Sequence, residues 1–244
     1  MKSLQLSAVL RRLGAAVVLM GLQTGCKTST AVTRPVELLD HAGSPSMVSH
    51  TFVSYQDAFR AFRQAEFPTG KWVVDGAVLR SVEGKGIDLI TRSEYHDFEF
   101  SLDWKVTKGA NSGIMYGVSE DTSETYWSGP EYQINDDPNH DDGKVPITSA
   151  GALYDLLPPN ASKRLKPTGE WNETRIVSRG GHIEHWLNGT KILEYDWNSP
   201  VMRGLISKTK FADQAHFMKE LNGHIALQHH GAEVWFRNIR IVRL

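Results

Sequence analysis

The chain has 244 residues, of which 40% are hydrophobic, and its 27 basic and 28 acidic side chains leave a formal net charge of −1. This balance excludes an intrinsically disordered chain and a polycation that binds nucleic acid through its overall charge. A single cysteine excludes an internal disulfide framework, so the fold must be stabilised by its packed core.

Residues 1–25 have the layout of an export signal: basic residues come first, an apolar run follows at 13–22, and Gly25 precedes Cys26. The apolar run is shorter than a membrane-spanning helix. A small residue before a cysteine resembles the site where bacterial lipoproteins are cleaved and lipidated, although Gln23 stands where an aliphatic residue is usual. The sequence therefore predicts an exported protein, periplasmic or anchored to the outer membrane, with its lipid on Cys26. An ordinary secretory signal with an incidental cysteine is the alternative.

Residues 26–47 are rich in Thr, Ser, Pro and Gly, which predicts a tether that leads to one domain over 48–244. Helix-like patterns occur in that domain only at 54–64 and 213–221. The rest of the domain consists mainly of short segments punctuated by Gly, Asn, Asp and Pro.

Several of these segments alternate hydrophobic and polar residues, as 98–104 and 225–228 do, and such alternation is typical of half-buried antiparallel strands. The stretch HIEHWLNGTKILEY at 182–195 predicts a β-hairpin that turns at Asn188-Gly189. Many short strands and few helices predict an all-β protein, a jelly-roll sandwich of two antiparallel sheets with one or two short helices.

Common catalytic motifs are absent: the sequence contains no HExxH, GxSxG, Walker or paired CxxC motif. The acidic stretch 136–143 resembles a calcium loop. An EF-hand that starts at Asp137 would need Gly and Glu at its sixth and twelfth positions, where Asp142 and Thr148 stand. A solvated loop is the favoured interpretation.

Polar residues remain on the strand faces that point away from the core. If the core takes Tyr132 and Ile134, then Glu131 and Gln133 point the other way. The same parity places Gln228 and His230 on a non-core face, and Glu184 and Trp186 on another. Such a face is ordinarily solvent-exposed. A Trp, a Glu and a His on it are also the components of a carbohydrate groove, because a flat ring stacks on sugar C–H bonds and titratable groups transfer protons.

Nine short motifs occur in one order and cover most of the domain: FPTGKW at 67–72, DLIT at 88–91, DFEF at 97–100, NSGI at 111–114, GPEYQI at 129–134, GALYDL at 151–156, KPTGEWN at 166–172, HWLNG at 185–189 and EVWFRNIR at 233–240. Through these motifs the sequence from Phe67 to Leu244 resembles the 3-keto-disaccharide hydrolase domain family of exported bacterial proteins.

The resemblance implies a concanavalin-like jelly roll and an unusual glycoside cleavage. A partner dehydrogenase first oxidises the sugar 3-hydroxyl to a ketone, which makes the C2 proton acidic. Removal of that proton, departure of the glycosidic oxygen and addition of water then amount to hydrolysis. This chemistry needs a base, an acid and a stabiliser for the enolate oxygen.

For the site, the resemblance implies that Glu131 and His230 form the proton-transfer pair and that Asn111, Gln133, Trp186 and Gln228 line the sugar site. No cofactor is certain, and a divalent metal held by Glu131, Asp136 and His230 stays open. The family commonly shows Asp where this chain has His229 and Ala232, which puts the orientation of His230 in question.

Two alternatives to the keto-sugar enzyme remain. One is a non-catalytic carbohydrate-binding module that uses the same groove. The other is an ordinary retaining glycoside hydrolase, whose Glu-x-Asp-x-x-Glu strand is matched here by residues 131–136, with Gln133 in place of the central carboxylate. That replacement disfavours double displacement.

Overall fold

A computed structural model describes residues 36–41 and 48–244, and these residues form a sandwich of two β-sheets. The nine strands of the larger sheet are β1 (Val36–His41), β2 (Val48–Val53), β4 (Trp72–Asp75), β5 (Val78–Ser81), β7 (Phe98–Val106), β10 (Asn172–Arg179), β11 (His182–Leu187), β12 (Thr190–Asp196) and β14 (Val234–Arg243). The five strands of the smaller sheet are β3 (Phe59–Ala61), β6 (Leu89–Thr91), β8 (Asn111–Val118), β9 (Glu131–Asn135) and β13 (His224–Leu227). The helices are α1 (Tyr55–Ala58) and α2 (Pro200–Ile206).

The strand order of the larger sheet is β12-β11-β10-β7-β14-β1-β2, with β5 also paired to β14 and β4 to β5. The order of the smaller sheet is β3-β6-β13-β8-β9. Every pair is antiparallel except β1 and β14, which run parallel. The predicted all-β jelly-roll sandwich is confirmed.

Alternation in the sequence corresponds to burial in the larger sheet. Along β7 every second residue from Phe98 to Val106 is buried, and these side chains pack against Tyr132, Ile134 and Ile225 of the smaller sheet. The predicted hairpin is present, and Asn188 and Gly189 adopt φ values of 49° and 78°, as a two-residue turn of the primed type requires.

The smaller sheet is buried on both faces, so its strands lack the simple alternation of β7. All residues of β8, β9 and β13 are buried. Beyond the main core, a second cluster forms on the outer face of this sheet from Phe62, Ile90, Met115, Val118 and Ala226. The outer face is therefore apolar in one region, and its polar region holds the candidate site.

The tether prediction is wrong for residues 36–41. These residues form β1, which lies between β14 and β2, and Val36 and Leu39 are buried. The domain therefore begins before residue 48. The predicted signal, Cys26 and residues 27–35 lie outside the described residues.

The helix predictions were partly wrong. In 54–64 only α1 is helical, capped by the Ser54 hydroxyl, and the chain then enters β3. Residues 213–221 form turns, whereas α2 begins after the Ser199 cap with Pro200 at its first position. A Ser-Pro start is a helix signal that hydrophobic periodicity does not register. No helix among the described residues is long and apolar enough to cross a bilayer.

Candidate active site

A cleft of about 300 Å³ lies on the outer face of the smaller sheet. Its floor comes from β8, β9 and the residues that follow β13, and its walls come from loops. The lining residues are Asn111, Tyr126, Trp127, Glu131, Gln133, His140, Asp142, Tyr154, Lys210, Phe211, Gln228 and His230. Five of the six residues predicted for the sugar site are therefore brought together.

Strand register explains this convergence. In the β8·β9 ladder Gly113 lies opposite Gln133, and Met115 lies opposite Glu131. Tyr132 and Ile134 belong to the main core, so Glu131 and Gln133 face outward, as the parity argument predicts. The backbone N–H of Gln228 donates to Gly113 O at 2.9 Å, which holds Gln228 beside the same strand.

Glu131 occupies space on the neighbouring strand that only a glycine at position 113, diagonal to it in the ladder, leaves free. A Cβ atom at position 113 would lie 2.0 Å from Glu131 Oε1, so the carboxyl rests directly over Gly113. Burial, reinforced by the negative charges of Asp88 and Asp142 and opposed by the cation of Lys210, raises the pKa of Glu131 to about 8. A carboxyl with this pKa exchanges protons near neutral pH, which is the property required of a catalytic acid or base.

Two amide side chains beside Glu131 have unused hydrogen-bonding groups. Within the described chain, Gln133 Nε2 and Oε1 and Gln228 Oε1 are buried and have no hydrogen-bond partner. Buried polar atoms in proteins are normally paired, and those that are not call for an explanation. Because both amides line the cleft, a ligand with several hydroxyl groups would satisfy them.

Aromatic rings form the walls of the cleft. Tyr126 and Trp127 lie side by side with ring centroids 4.7 Å apart, and the Trp127 ring also contacts Phe211 at 6.2 Å. Tyr154 also lines the cleft, and burial and the nearby carboxylates of Asp142 and Glu131 raise its pKa to about 12. These rings offer flat surfaces and hydroxyl donors for a sugar ring.

Lys210 lies beside these rings at the same cleft. Its ammonium group is 4.6 Å from the centroid of the Tyr154 ring and 5.2 Å from that of Phe211. Among the described residues, no carboxylate forms an ion pair with Lys210. The cleft therefore contains a positive charge held by ring faces.

The acidic stretch 136–143 is not simply solvated, which corrects the sequence interpretation. Asp136 is only 2% exposed and accepts hydrogen bonds from Gly109 N, Asn139 Nδ2 and Thr168 Oγ1. Asp142 faces the cleft and accepts from Asn111 Nδ2 at 3.1 Å. The stretch is a structured wall of the cleft.

The metal site considered for Glu131, Asp136 and His230 does not fit these contacts. Both oxygens of Asp136 accept hydrogen bonds from the protein, and Asp136 does not line the cleft. Across residues 36–41 and 48–244, potential ligand atoms converge only at the His182, Glu184 and Glu194 side chains of the larger sheet. There Lys191 already pairs with both glutamates, at 3.0 and 2.6 Å.

His230 is exposed at the rim of the cleft, and the preceding histidine is held below it. The backbone N–H of His229 donates to Asp88 Oδ1 at 2.8 Å, and the His229 ring meets Trp72 edge to face at 5.4 Å. Burial raises the pKa of Asp88 and lowers that of His229. The segment that carries His230 is thus fixed by Asp88 and by packing of His229.

Trp186 is not part of the cleft, which corrects its predicted role. It lies on β11 of the larger sheet, where the Arg175 guanidinium stacks on its ring at 3.9 Å and Glu184 accepts from its indole N–H at 2.8 Å. Its outward face is therefore occupied by the protein itself. The aromatic surface of the cleft is supplied by Tyr126, Trp127, Tyr154 and Phe211.

These four rings and the side chains of His140, Asp142 and Lys210 were not predicted as site residues, because all seven residues lie on loops or short turns without periodicity. The adjacent Tyr126-Trp127 pair between polar residues carried a usable signal, since large aromatic residues in a loop often contact a ligand.

Comparisons with known proteins identify the family of the domain. Residues 54–242 match the family described as the 3-keto-alpha-glucoside-1,2-lyase-like domain. A 3-keto-disaccharide hydrolase of Bacteroides thetaiotaomicron is 33% identical over an alignment of 216 positions, which covers 76% of this chain and 74% of that protein.

Two crystal structures from Parabacteroides distasonis, each of a candidate glycosyl hydrolase, are also similar. One has a TM-score of 0.70 at 29% identity and covers 77% of this chain and 88% of its own. The other has a TM-score of 0.60 at 31% identity and covers 76% of this chain and 99% of its own. The chain belongs to the family of 3-keto-alpha-glucoside-1,2-lyase-like domains.

Proposed function

We propose that this protein is a carbohydrate-cleaving enzyme that acts on glycosides of 3-keto sugars by elimination followed by addition of water. The observation that carries the proposal is the buried Glu131 carboxyl, with a pKa of about 8, beside the unpartnered amide of Gln133. The name of the Bacteroides thetaiotaomicron relative supports the substrate class.

In the proposed mechanism, the carboxylate of Glu131 removes the C2 proton of the keto sugar. The electrons of the C–H bond form a C2–C3 double bond, and the C3 ketone becomes an enolate. The ketone then re-forms, a double bond forms between C1 and C2, and the C1–O bond breaks. The leaving oxygen takes a proton from His230, and water adds across the new double bond to give the free keto sugar.

The raised pKa of Glu131 suits this role. A carboxylate whose conjugate acid has a pKa of about 8 is a much stronger base than an exposed glutamate, and the C2–H of a ketone is a weak acid. The free amide groups of Gln133 and Gln228 would hold sugar hydroxyls, and the Tyr126 and Trp127 rings would stack against the sugar.

The first test compares a 3-keto-glucoside with its unoxidised parent. We expect the wild-type protein to release the aglycone only from the keto compound, and Glu131→Gln to lower kcat by at least about a hundredfold. Equal cleavage of both compounds would favour an ordinary glycoside hydrolase. Binding without turnover would favour a carbohydrate-binding module. A surface variant, Glu173→Gln on β10, serves as the control because its side chain is exposed on the other sheet.

A second assay separates the base from the acid. The 3-keto derivative of 1,5-anhydroglucitol has no glycosidic oxygen at C1, so exchange of its C2 hydrogen in deuterium oxide reports the base without cleavage of a glycoside. Glu131→Gln should abolish enzyme-dependent exchange. His230→Gln should retain exchange and lose cleavage of the glycoside. Exchange that depends on His230 and not on Glu131 would reverse the assigned roles.

We further propose that the protein is exported and lipid-anchored at Cys26, and that a sugar 3-dehydrogenase supplies its substrate. The layout of residues 1–26 supports the first proposal, and the need for a ketone supports the second. Metabolic labelling with a radioactive fatty acid should mark the wild-type protein and leave Cys26→Ala unlabelled. Labelling of both would contradict lipidation at that residue.

A further inference from the structure

We infer that Lys210 is a catalytic residue that stabilises the negative charge on the C3 oxygen of the enolate. This inference deepens the proposed function and rests on it. It assigns a role to the third group that elimination needs besides a base and an acid.

The surroundings of Lys210 support this assignment. Its ammonium group lies over the Tyr154 and Phe211 rings, and none of the described carboxylates forms an ion pair with it. Aromatic faces attract a cation without giving it a formal counter-charge. Lys210 therefore presents a charge that can still be paired, at the cleft that holds the proposed base.

Lys210 also acts electrostatically on Glu131. Its charge opposes the pKa increase that burial and the two neighbouring carboxylates impose on Glu131. A cation that stabilises the negative form of Glu131 before proton transfer is placed to stabilise the enolate after it, because the transfer moves the negative charge from the carboxylate to the sugar oxygen.

The charge balance of the step is then complete. Proton transfer neutralises Glu131 and creates one negative charge on O3, and Lys210 pairs with that charge without forming or breaking a bond. When the C1–O bond breaks, the electrons leave O3, the ketone re-forms and the ion pair is lost. A neutral 3-hydroxyl gains little from the same lysine, so Lys210 would contribute to selectivity for the keto form.

The segment that carries Lys210 is fixed to the body of the domain. Phe211 and Phe217 are buried and stack in parallel at a centroid distance of 3.9 Å. The N–H of Met218 donates to Ser128 O at 2.8 Å, next to Trp127. The backbone that carries the lysine is therefore held in place by these contacts. A preorganised electrostatic contact requires such a fixed backbone.

The test uses Lys210→Met, Lys210→Arg and the control Lys208→Met, in which an exposed lysine of the same segment is replaced. We expect Lys210→Met to lower kcat for the 3-keto-glucoside by about a hundredfold or more, with the same decrease in C2 exchange on the anhydroglucitol ketone. Lys210→Arg should recover most of this loss because it restores the charge. Lys208→Met should behave as wild type, and circular dichroism should show that all variants are folded.

Three outcomes would overturn the inference. If wild type exchanges and cleaves the keto compounds and Lys210→Met does so within about threefold, Lys210 has no such role. If borohydride traps a covalent adduct on wild type and not on Lys210→Met, the lysine forms an imine instead of an ion pair. If wild type itself neither exchanges nor cleaves, the proposed function fails and the inference fails with it.

Discussion

The Glu131 carboxyl group is unusual because it is buried and no described cation is in direct contact with it. Its side chain lies at the bottom of the cleft, only 8% of its surface is exposed, and none of the described cations forms an ion pair with it. Ionising such a group costs free energy, which the protein must recover from the rest of its packing. A residue that is retained at this cost is more easily explained by chemistry than by stability.

This cost predicts a pH dependence of stability. Native Glu131 keeps its proton up to about pH 8, whereas in the unfolded chain the group loses it near its ordinary pKa of 4.5. The native state binds more protons between these values, so the contribution of Glu131 to the free energy of unfolding decreases as the pH rises from 4.5 to 8. The side chain at position 131 of Glu131→Gln does not titrate. The free energy of unfolding of this variant, measured relative to that of wild type, should therefore be higher at alkaline than at acidic pH, by up to about 5 kcal/mol.

Urea unfolding of wild type and Glu131→Gln at pH 5 and pH 9 measures this difference, with Glu173→Gln as the exposed control. The free energy of unfolding of Glu131→Gln minus that of wild type should be larger at pH 9 than at pH 5. A gap that is the same at both pH values would show that Glu131 titrates normally in the native state.

At the scale of the elements, segment 207–222 illustrates what the sequence could not reveal. Its hydrophobic residues suggest a helix over 213–221, but in the structure they pack in two separate ways. Phe211 and Phe217 stack on each other, and Met218 is buried below. Such an irregular segment depends on contacts with loops far away in the chain, which local periodicity does not encode.

The strands were more predictable because their pattern is local. The alternation along β7 and the Asn188-Gly189 turn follow from neighbouring residues alone. For the site, parity correctly placed Glu131 and Gln133 on one face. The same argument failed for Trp186. Parity shows that a side chain points outward, but it does not show which of the two sheets carries the cleft. It also does not show that the Arg175 guanidinium covers the Trp186 ring.

The stacked pair gives a prediction for this segment. Phe217→Ala should lower the free energy of unfolding by about 3 kcal/mol and loosen residues 207–222, because the Phe211 ring loses its partner. Trypsin should then cleave at Lys208, Lys210 or Lys219 faster than in wild type. Phe217→Leu keeps much of the buried volume, so trypsin should cleave it at a rate between those of wild type and Phe217→Ala. Unchanged cleavage in Phe217→Ala would show that the stack does not hold the segment in place.

At the scale of the whole molecule, the domain extends further toward the amino terminus than composition indicates. β1 lies inside the larger sheet and, among the strands of the described residues, it alone connects β2 to β14. Val36 and Leu39 bury their side chains there, and each is worth about 1.5–3 kcal/mol of hydrophobic stabilisation.

We therefore expect a chain that begins at residue 48 to be at least about 3 kcal/mol less stable than one that begins at residue 33. Removal of β1 exposes the edge of β14 and leaves β2 without a partner in the sheet. Chemical denaturation of the two chains measures the difference. Equal stability would mean that the strand adds nothing to the sheet.

The parallel pairing of β1 with β14 also bears on when this sheet can form. Val36 lies opposite Ile239, so one of the first described residues contacts one of the last. Until β14 has been synthesised, β1 has only β2 as a neighbour, and an isolated two-stranded hairpin is at best marginally stable in water. Contacts between such distant residues form slowly because a long loop must close first. The nine-stranded sheet is thus completed only once β14 has been made, and a nascent chain that lacks β14 would still expose its β1 and β7 edges.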